Sequence, residues 1–150
     1  TLDNKTVLLI SSFQSLTGAN VKDVFEEDGR ITFIVDEGEA SRAIGRGGRN
    51  VKLLGSKLKK DIRVVEYNKD KLKFILNLIY PVVPKKIYTG SPEDSKREGE
   101  SGGQTSEEIV TIEVLDGKSK GLLIGRNASS LRSLEEKVRR HHKVKEIKIR

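Results

Sequence analysis

Apolar residues recur three positions apart at the start of the chain. These residues are Val7, Ile10, Phe13 and Leu16. A spacing of roughly three to four residues is typical of one face of an amphipathic helix, and a glycine often ends such a helix. The pattern therefore predicts a helix over residues 3–17 that stops at Gly18.

Shorter apolar segments follow this helix and predict paired strands. VKDVF at residues 21–25 and RITFIV at residues 30–35 are separated by the acidic turn signal EEDG, as expected of a β-hairpin. EASRAIG then predicts a short helix, and NVKLLGSKLKK predicts a longer one. The β-branched segment at residues 62–67 predicts a third strand. The stripe of the longer helix consists of Val51, Leu54 and Leu58.

The same order of patterns returns in the second half of the chain. It begins with a helix ended by Pro81 and the short strand KKIYT. It continues with the strand EIVTIEV, the helices KSKGLLIG and ASSLRSLEEKVRRHH, and the strand VKEIKIR. An Ile-Gly-Arg step stands at residues 44–46 and again, 80 residues later, at residues 124–126. Each half is thus predicted to run helix–strand–strand–helix–helix–strand.

This internal repeat indicates the duplication of a small α+β domain. We place the first domain at residues 1–68 and the second at residues 69–150. The residues at about 90–107 are polar and glycine-rich and contain no apolar side chain. Such a composition is typical of a flexible loop within the second copy.

Positive charge is concentrated in two blocks of the sequence. The chain has a formal net charge of +7. Residues 42–63 contain eight Lys or Arg against one acidic residue, and residues 118–150 contain eleven against three. Both blocks begin near an Ile-Gly-Arg step, so each repeat is expected to attract anions locally.

Composition also excludes several classes of site. The chain has no cysteine, so it forms no disulfide or thiolate metal site. The adjacent His141 and His142 would point about 100° apart on a helix, which makes a shared metal unfavourable; we expect them at an exposed helix end. No metal and no cofactor are predicted. The apolar runs are too short to span a membrane, and TLDNKTVLLISSF lacks the basic leader of a signal peptide. We expect a cytoplasmic protein without a membrane partner.

The GRGG segment at residues 45–48 combines glycines with cations at the start of a helix. Glycine permits positive φ and the close approach of a second backbone. The amino end of a helix carries partial positive charge, and Arg46 and Arg49 would add full charges. This arrangement suits a phosphate group, so the loop could hold a nucleic-acid backbone. The bases would then meet apolar side chains, which we expect to be Ile44, Val51, Leu54 and their counterparts.

Two other interpretations of GRGG remain open from the residues alone. The segment could be a tight interhelical turn without a ligand, or the phosphate loop of a nucleotide-handling enzyme. The enzyme is disfavoured because the segment lacks the Gly-Lys-Ser/Thr ending of a P-loop, and Asn50 stands where the last glycine of G-x-G-x-x-G belongs. We therefore expect a protein that is not an enzyme.

The motif I-G-x-x-G between two helices resembles the signature of KH domains, whose loop clamps about four nucleotides of single-stranded RNA. The element order resembles the type II (prokaryotic) form. Two such copies, and the segment FIVDEGEASRAIGRGGRNVKLLGSKLKKDIRVVEY, are similar to the archaeal-type NusA family.

This resemblance implies an α+β fold of two tandem type II KH domains, each with a three-stranded sheet packed against helices. It also implies a non-catalytic transcription factor that acts in termination or antitermination. Its partners would be single-stranded RNA together with RNA polymerase or other transcription factors. A ribosome-associated KH scaffold is the alternative, because it would use the same loops.

The residues expected to contact RNA belong to the two loops or are the cations nearest to them. Asn50 has a second interpretation, as a cap of the following helix. The full set is Arg42, Ile44, Gly45, Arg46, Gly47, Gly48, Arg49, Asn50, Lys52, Lys118, Lys120, Ile124, Gly125, Arg126, Asn127, Ala128 and Arg132.

The second loop, GRNA, departs from the motif at its last position. Ala128 stands where a glycine is expected. Alanine is favourable there if the position is helical and unfavourable if it requires positive φ. Asn127 tolerates positive φ better than most residues. We predict that the second loop forms but binds RNA more weakly, and that Ala128→Gly raises its affinity.

Overall fold

The computed structural model describes residues 3–90 and 108–150. The chain divides into two compact units, Thr1–Lys69 and Asp70–Arg150. The described elements of the first unit are α1 (Asn4–Thr17), β1 (Val21–Glu27), β2 (Arg30–Val35), α2 (Ala40–Ile44), α3 (Arg49–Leu58) and β3 (Asp61–Glu66). Those of the second unit are α4 (Lys71–Ile79), β4 (Lys86–Thr89), β5 (Glu108–Glu113), α5 (Gly117–Ile124), α6 (Ser129–Arg139) and β6 (Val144–Ile149).

These elements confirm the predicted order of helices and strands in both halves. Apart from Gly90, the predicted loop at 90–107 lies outside the described residues. Within the described residues, none of the helices is long and apolar enough to cross a membrane.

Each unit contains one three-stranded sheet with the same connectivity. In the first sheet β1 pairs antiparallel with β2, and β2 pairs parallel with β3. In the second sheet β4 pairs antiparallel with β5, and β5 pairs parallel with β6. The chain is therefore a mixed α+β protein. The β1–β2 turn is formed by Asp28 and Gly29, both at positive φ, as the tightest hairpin turns require.

The core of the first unit lies between one face of its sheet and its three helices. Side chains alternate along a strand, so β2 directs Ile31, Phe33 and Val35 to the same face, where all three are buried. Phe13 of α1 stacks on Phe33 with ring centroids 4.1 Å apart, and Leu54 of α3 joins the same cluster. Burial of each such side chain stabilises the unit by roughly 1.5–3 kcal/mol.

The apolar stripe predicted for α1 is partly wrong. Ile10 and Phe13 pack into the core, but Val7 and Leu16 are exposed, with 45% and 37% of their surface accessible. Strict three-residue spacing drifts by about 60° per step around a helix, so the two ends of the stripe leave the core face. The buried residue in the last turn is Thr17, whose hydroxyl donates to the Phe13 carbonyl at 2.8 Å.

The core of the second unit is built from the corresponding elements. Val110 and Ile112 of β5 and Val138 of α6 are completely buried. The two histidines after α6 were expected to be exposed, but both are half-buried. Their ring centroids lie 5.7 and 5.6 Å from that of Phe74. They are therefore packing residues at the end of α6.

Candidate nucleic-acid interface

A four-residue turn joins α2 to α3 in the first unit, and another joins α5 to α6 in the second. We call residues 45–48 the first turn and residues 125–128 the second turn. In the first turn Gly45, Gly47 and Gly48 have φ values of 79°, 63° and 77°. The Gly45 ψ is 167°, and this combination is essentially restricted to glycine. The first turn thus requires glycine at residue 45.

Asn50 explains why residue 45 must also be small. A Cβ added to Gly45 would lie 2.9 Å from the Asn50 Cγ and 3.1 Å from the Asn50 backbone nitrogen. The Asn50 side-chain amide donates to the Arg42 carbonyl at 3.1 Å. The expectation that Asn50 caps the following helix is therefore wrong. It binds the end of the preceding helix and holds α2 and α3 together across the first turn.

The amino end of α3 has no side-chain cap. Gly48 occupies the N-cap position in a left-handed conformation, and no side-chain hydrogen bond is made there. The Gly48 N–H donates within the turn to the Gly45 carbonyl at 3.1 Å. An uncapped helix start keeps partial positive charge at its first amide groups. The first turn therefore presents a weakly cationic backbone in addition to its charged side chains.

Three of the predicted cations are exposed at the first turn. The side chains of Arg46, Arg49 and Lys52 form no hydrogen bond or ion pair within residues 3–90 and 108–150. Together with Gly47 and Leu53 they line an open concavity of about 560 Å³. Unpaired cations that line one concavity favour the binding of an anion there. The predicted phosphate contacts of these residues remain predictions.

Arg42 differs from these cations because it already has partners. Its Nη1 atom lies 3.7 Å from the Glu39 carboxylate and 3.5 Å from the Gly18 carbonyl. The side chain is nevertheless 64% exposed. Arg42 therefore connects α2 to the end of α1, and an RNA phosphate would have to compete with Glu39 for it.

The apolar contacts expected beside the first turn divide into two groups. Ile44 is 37% exposed and Val51 is half-buried, so both can be reached from solvent. Leu54 is only 3% exposed because it belongs to the core, and its expected contact with bases is therefore wrong. Leu134, its counterpart in α6, is buried in the same way. The sequence reasoning missed Leu53, which is 52% exposed.

The sequence did contain a signal for Leu53. It lies next to Leu54 but outside the stripe of Val51, Leu54 and Leu58, so it had to point away from the core. An exposed leucine on an otherwise polar helix face is then a candidate ligand contact. This residue lines the concavity with the cations of the first turn.

The second turn has nearly the same backbone with different residues. Gly125, Asn127 and Ala128 have φ values of 72°, 54° and 60°. The Ala128 N–H donates to the Gly125 carbonyl at 3.3 Å, which matches the bond within the first turn. A Cβ added to Gly125 would lie 2.3 Å from the Ser130 Oγ. Ser130 therefore takes the place of Asn50, and Gly125 is as necessary as Gly45.

The second turn is surrounded by fewer cations. The side chains of Arg126 and Arg132 are exposed and make no hydrogen bond or ion pair in the part of the chain that the structure describes. Leu122 and Ser129 stand, 80 residues on, where the first unit has Arg42 and Arg49. The second turn therefore attracts anions less strongly than the first.

Lys118 and Lys120 lie away from the second turn. Both are exposed residues near the start of α5, whereas the turn follows the other end of that helix. Lys118 is about 10 Å from Gly125 along the helix axis. Asp116 caps α5 by accepting from the Ser119 N–H at 2.7 Å, and this bond holds the pKa of Asp116 below its ordinary value. RNA contact by the two lysines stays a prediction. Across residues 3–90 and 108–150, no cluster of three His, Asp or Glu side chains could hold a metal ion.

Known proteins match between 54% and 99% of the chain. The model of the KH domain family matches residues 8–88. The probable transcription termination protein NusA of Methanococcus vannielii is 42% identical over 81 residues, which are 54% of this chain and 47% of that relative. The match thus spans just under half of that relative. The protein of the same name in Methanocaldococcus jannaschii is 28% identical over 99% of this chain and 74% of that relative. The one in Halococcus morrhuae is 25% identical over 99% of this chain and 97% of that relative.

A solved structure resembles the chain over its full length. The crystal structure of APE1850 matches with a TM-score of 0.70 and 32% sequence identity. The match covers 99% of this chain and 100% of that one.

Proposed function

Because the chain belongs to the KH domain family and is of the NusA type, we propose that it is a non-catalytic, single-stranded RNA-binding factor of transcription termination or antitermination. Its relatives are named as transcription termination proteins. This shared name supports a role in transcription over the ribosome-associated alternative. RNA polymerase or another transcription factor is the candidate protein partner, and the cytoplasm is the candidate location.

We propose further that residues 1–68 and 69–150 are tandem type II KH domains. The family match at residues 8–88 includes all of α2, the first turn and α3. The second unit is supported by its internal likeness, because it has the same order of elements and the same strand pairing. Its turn also has the same backbone conformation as the first turn.

The observation that carries the proposal is the first turn with its unpaired cations. Arg46, Arg49 and Lys52 surround a glycine backbone at the uncapped start of α3. Phosphate binds well to such a combination of amide groups and guanidinium groups. Phosphate contacts do not distinguish one RNA base from another. The RNA backbone would therefore be held here, and the bases would lie against Ile44 and Val51.

A double substitution in the first turn tests this proposal. Arg46→Asp with Gly47→Asp places two carboxylates where a phosphate would lie. The turn should still form, because a Cβ at Gly47 meets nothing within 4 Å and Asn127 adopts the corresponding conformation. We expect RNA binding to be abolished in fluorescence anisotropy with labelled single-stranded RNA.

The matched control is Gly47→Asn, which copies the second turn without adding charge. Its binding should stay close to that of the wild type, and circular dichroism should be the same for all three proteins. Wild-type affinity should also fall steeply with salt, as expected of phosphate contacts. If the double variant binds RNA as well as the wild type, the first turn is not the RNA site and the proposal fails.

A further inference from the structure

The outer face of α3 carries an exposed leucine among cations. Arg49, Lys52 and Leu53 are spaced three and four residues apart, so they are neighbours on the helix surface. With Arg46 and Gly47 they line one open concavity. The opposite face of the same helix packs into the core through Leu54. The concavity therefore belongs to the side of α3 that faces solvent.

The chemistry of this concavity is both cationic and apolar. Arg46, Arg49 and Lys52 have no acidic partner among the residues that the structure describes, so none of the carboxylates in residues 3–90 and 108–150 neutralises them there. Leu53 leaves 52% of its surface in water, and covering that surface would be favourable. A complementary ligand carries negative charge next to a flat, poorly hydrated surface. A nucleotide of RNA has both features, in its phosphate and its base.

We propose that this concavity holds one nucleotide of the bound RNA. Its phosphate lies among Arg46, Arg49 and Lys52, and its base packs on Leu53. Arginine suits this position because its planar guanidinium can donate two hydrogen bonds to one phosphate. The inference rests on the proposed RNA binding and adds to it a base contact on the solvent side of α3. That contact is separate from Ile44 and Val51.

The second unit provides a natural comparison, because it lacks this set. Ser129 and Ser133 stand where the first unit has Arg49 and Leu53. The cations Arg46 and Lys52 have the cationic counterparts Arg126 and Arg132. Serine is therefore a substitution that the fold already accepts at both positions. Arg49→Ser and Leu53→Ser give these two positions of the first site the residues that the second unit has there.

The inference is tested with four labelled homopolymeric single-stranded RNA oligomers, one for each base. The affinity of each oligomer is measured at several salt concentrations. Leu53→Ser should weaken binding of the oligomer with the highest affinity roughly tenfold, because the apolar contact between the base and the leucine is lost. The salt dependence of binding should not change. Arg49→Ser should weaken binding and also reduce the slope of log affinity against log salt by about 0.7, the value for one phosphate contact on a single strand.

Matched controls separate these effects from general loss of charge or apolar surface. Lys57→Ser removes one cation from the exposed side of the same helix but outside the concavity. Leu8→Ser removes an exposed leucine, 66% accessible, from α1 of the same unit. Both should bind as the wild type does. Thermal unfolding should be similar for all four variants, since all four side chains are exposed.

An oligomer with an abasic nucleotide distinguishes the loss of a base contact from a change in the structure of the variant protein. Abasic nucleotides are placed one at a time along the tightest oligomer. One position should weaken wild-type binding but leave the binding of Leu53→Ser unchanged, because the variant has already lost the contact. Such non-additivity is the measure of a direct interaction.

The failure of this inference differs from the failure of the proposed function. If Arg49→Ser and Leu53→Ser bind like their controls while the double aspartate variant of the first turn binds nothing, the concavity holds no nucleotide and only the inference is overturned. If the wild type binds none of the RNA oligomers, the proposed function is overturned. A concavity that serves an acidic protein partner would give the first of these results.

Discussion

The first turn and the second turn have the same backbone and different side chains. Gly45 and Gly125 have φ/ψ of 79°/167° and 72°/177°. The next pair, Gly47 and Asn127, differs by 9° in φ, at 63° and 54°. The final pair, Gly48 and Ala128, has φ of 77° and 60°. The conformation is therefore set by the surrounding helices rather than by glycine at each position.

This comparison gives the two outer positions of the motif different physical roles. At Gly45 and Gly125 a side chain is excluded by the conformation and also by contact with the residue five positions later. At Gly48 an added Cβ would meet only ordinary contacts, 3.7 Å from Lys52 and Val51, so only its positive φ favours glycine. Ala128 shows that the fold can impose this conformation on alanine, at a cost of roughly 1–2 kcal/mol.

The two turns also differ in the charge around them. The first turn has Arg42, Arg46, Arg49 and Lys52 in its vicinity, and the second retains Arg126 and Arg132 at corresponding positions. The two turns thus share their geometry and differ in their electrostatics. We expect RNA affinity to depend mainly on the first turn, with a smaller contribution from the second.

The largest expected effect tests the feature that the turns share. Gly45→Ala and Gly125→Ala should each destabilise the protein by about 3 kcal/mol, because backbone strain adds to a steric clash. Urea unfolding measures this loss. Gly38→Ala is the control, since Gly38 has positive φ but a Cβ there meets nothing within 4 Å. Gly38→Ala should lose only the part of this stability that comes from backbone strain. Equal losses in all three variants would refute the steric role of Asn50 and Ser130.

The next effect tests the difference in charge. Arg46→Asp should weaken RNA binding roughly tenfold to hundredfold, as expected for the loss of a charged hydrogen bond. Arg126→Asp, its matched counterpart in the second turn, should weaken binding only a few-fold. Anisotropy titrations at constant salt measure both. If Arg126→Asp has the larger effect, the order of the two turns is reversed.

A smaller effect tests the last position of the motif. Ala128→Gly should stabilise the protein by about 1 kcal/mol, and Gly48→Ala should destabilise it by the same amount. Urea unfolding of the reciprocal pair measures both changes. Ala128→Gly should also raise RNA affinity if the methyl group hinders the second turn. A loss of stability in Ala128→Gly would show that alanine is not strained there.

The smallest effect concerns the far end of α3. The Glu26 carboxylate forms ion pairs with the ammonium groups of Lys5, at 2.9 Å, and Lys60, at 3.3 Å. Its hydrogen bonds with these two lysines lower the pKa of Glu26. In the second unit Arg139 donates to the carbonyls of Val144 and Lys145 and lies 3.7 Å from the Glu135 carboxylate.

Because the folded pKa of Glu26 lies below the unfolded value, the ion pairs stabilise the protein above about pH 4.5 and are lost as the pH falls through the folded pKa. Glu26→Gln should remove about 0.5 kcal/mol at pH 6 and nothing once the wild-type carboxylate is protonated. Urea midpoints between about pH 3 and 6 check this, with Asp28→Asn as the control for a neighbouring acid. A constant difference across this range would contradict the role of Glu26.

Local patterns were sufficient to predict the elements of the fold. The stripe of Val51, Leu54 and Leu58 indicated α3, and the apolar segment RITFIV after a turn signal indicated β2. Both signals depend on side chains that are close together along the chain. The same reasoning failed for α1, because a helix can be recognised from its spacing before the direction of its buried face is known.

Contacts between distant residues could not be predicted in this way. Asn50 donates to Arg42, eight positions earlier, and a polar residue at the start of a helix is more often a cap of its own helix. Leu53 and Leu54 are adjacent and chemically identical, yet one is 52% exposed and the other 3%. The stripe of Val51, Leu54 and Leu58 indicates this difference, but the grouping of Leu53 with Arg46 in one concavity is a contact that only the fold creates.

By itself the sequence determined the order of the elements, the repeat, the position of both turns and the clustering of cations beside them. These are local properties, fixed by side-chain periodicity and by composition. Only the tertiary structure decided the positive φ of Ala128, the bond between Asn50 and α2, and the concavity around Leu53. The physical reason is that a single residue's backbone preference amounts to about 1 kcal/mol, whereas the packing of two helices across a turn contributes several.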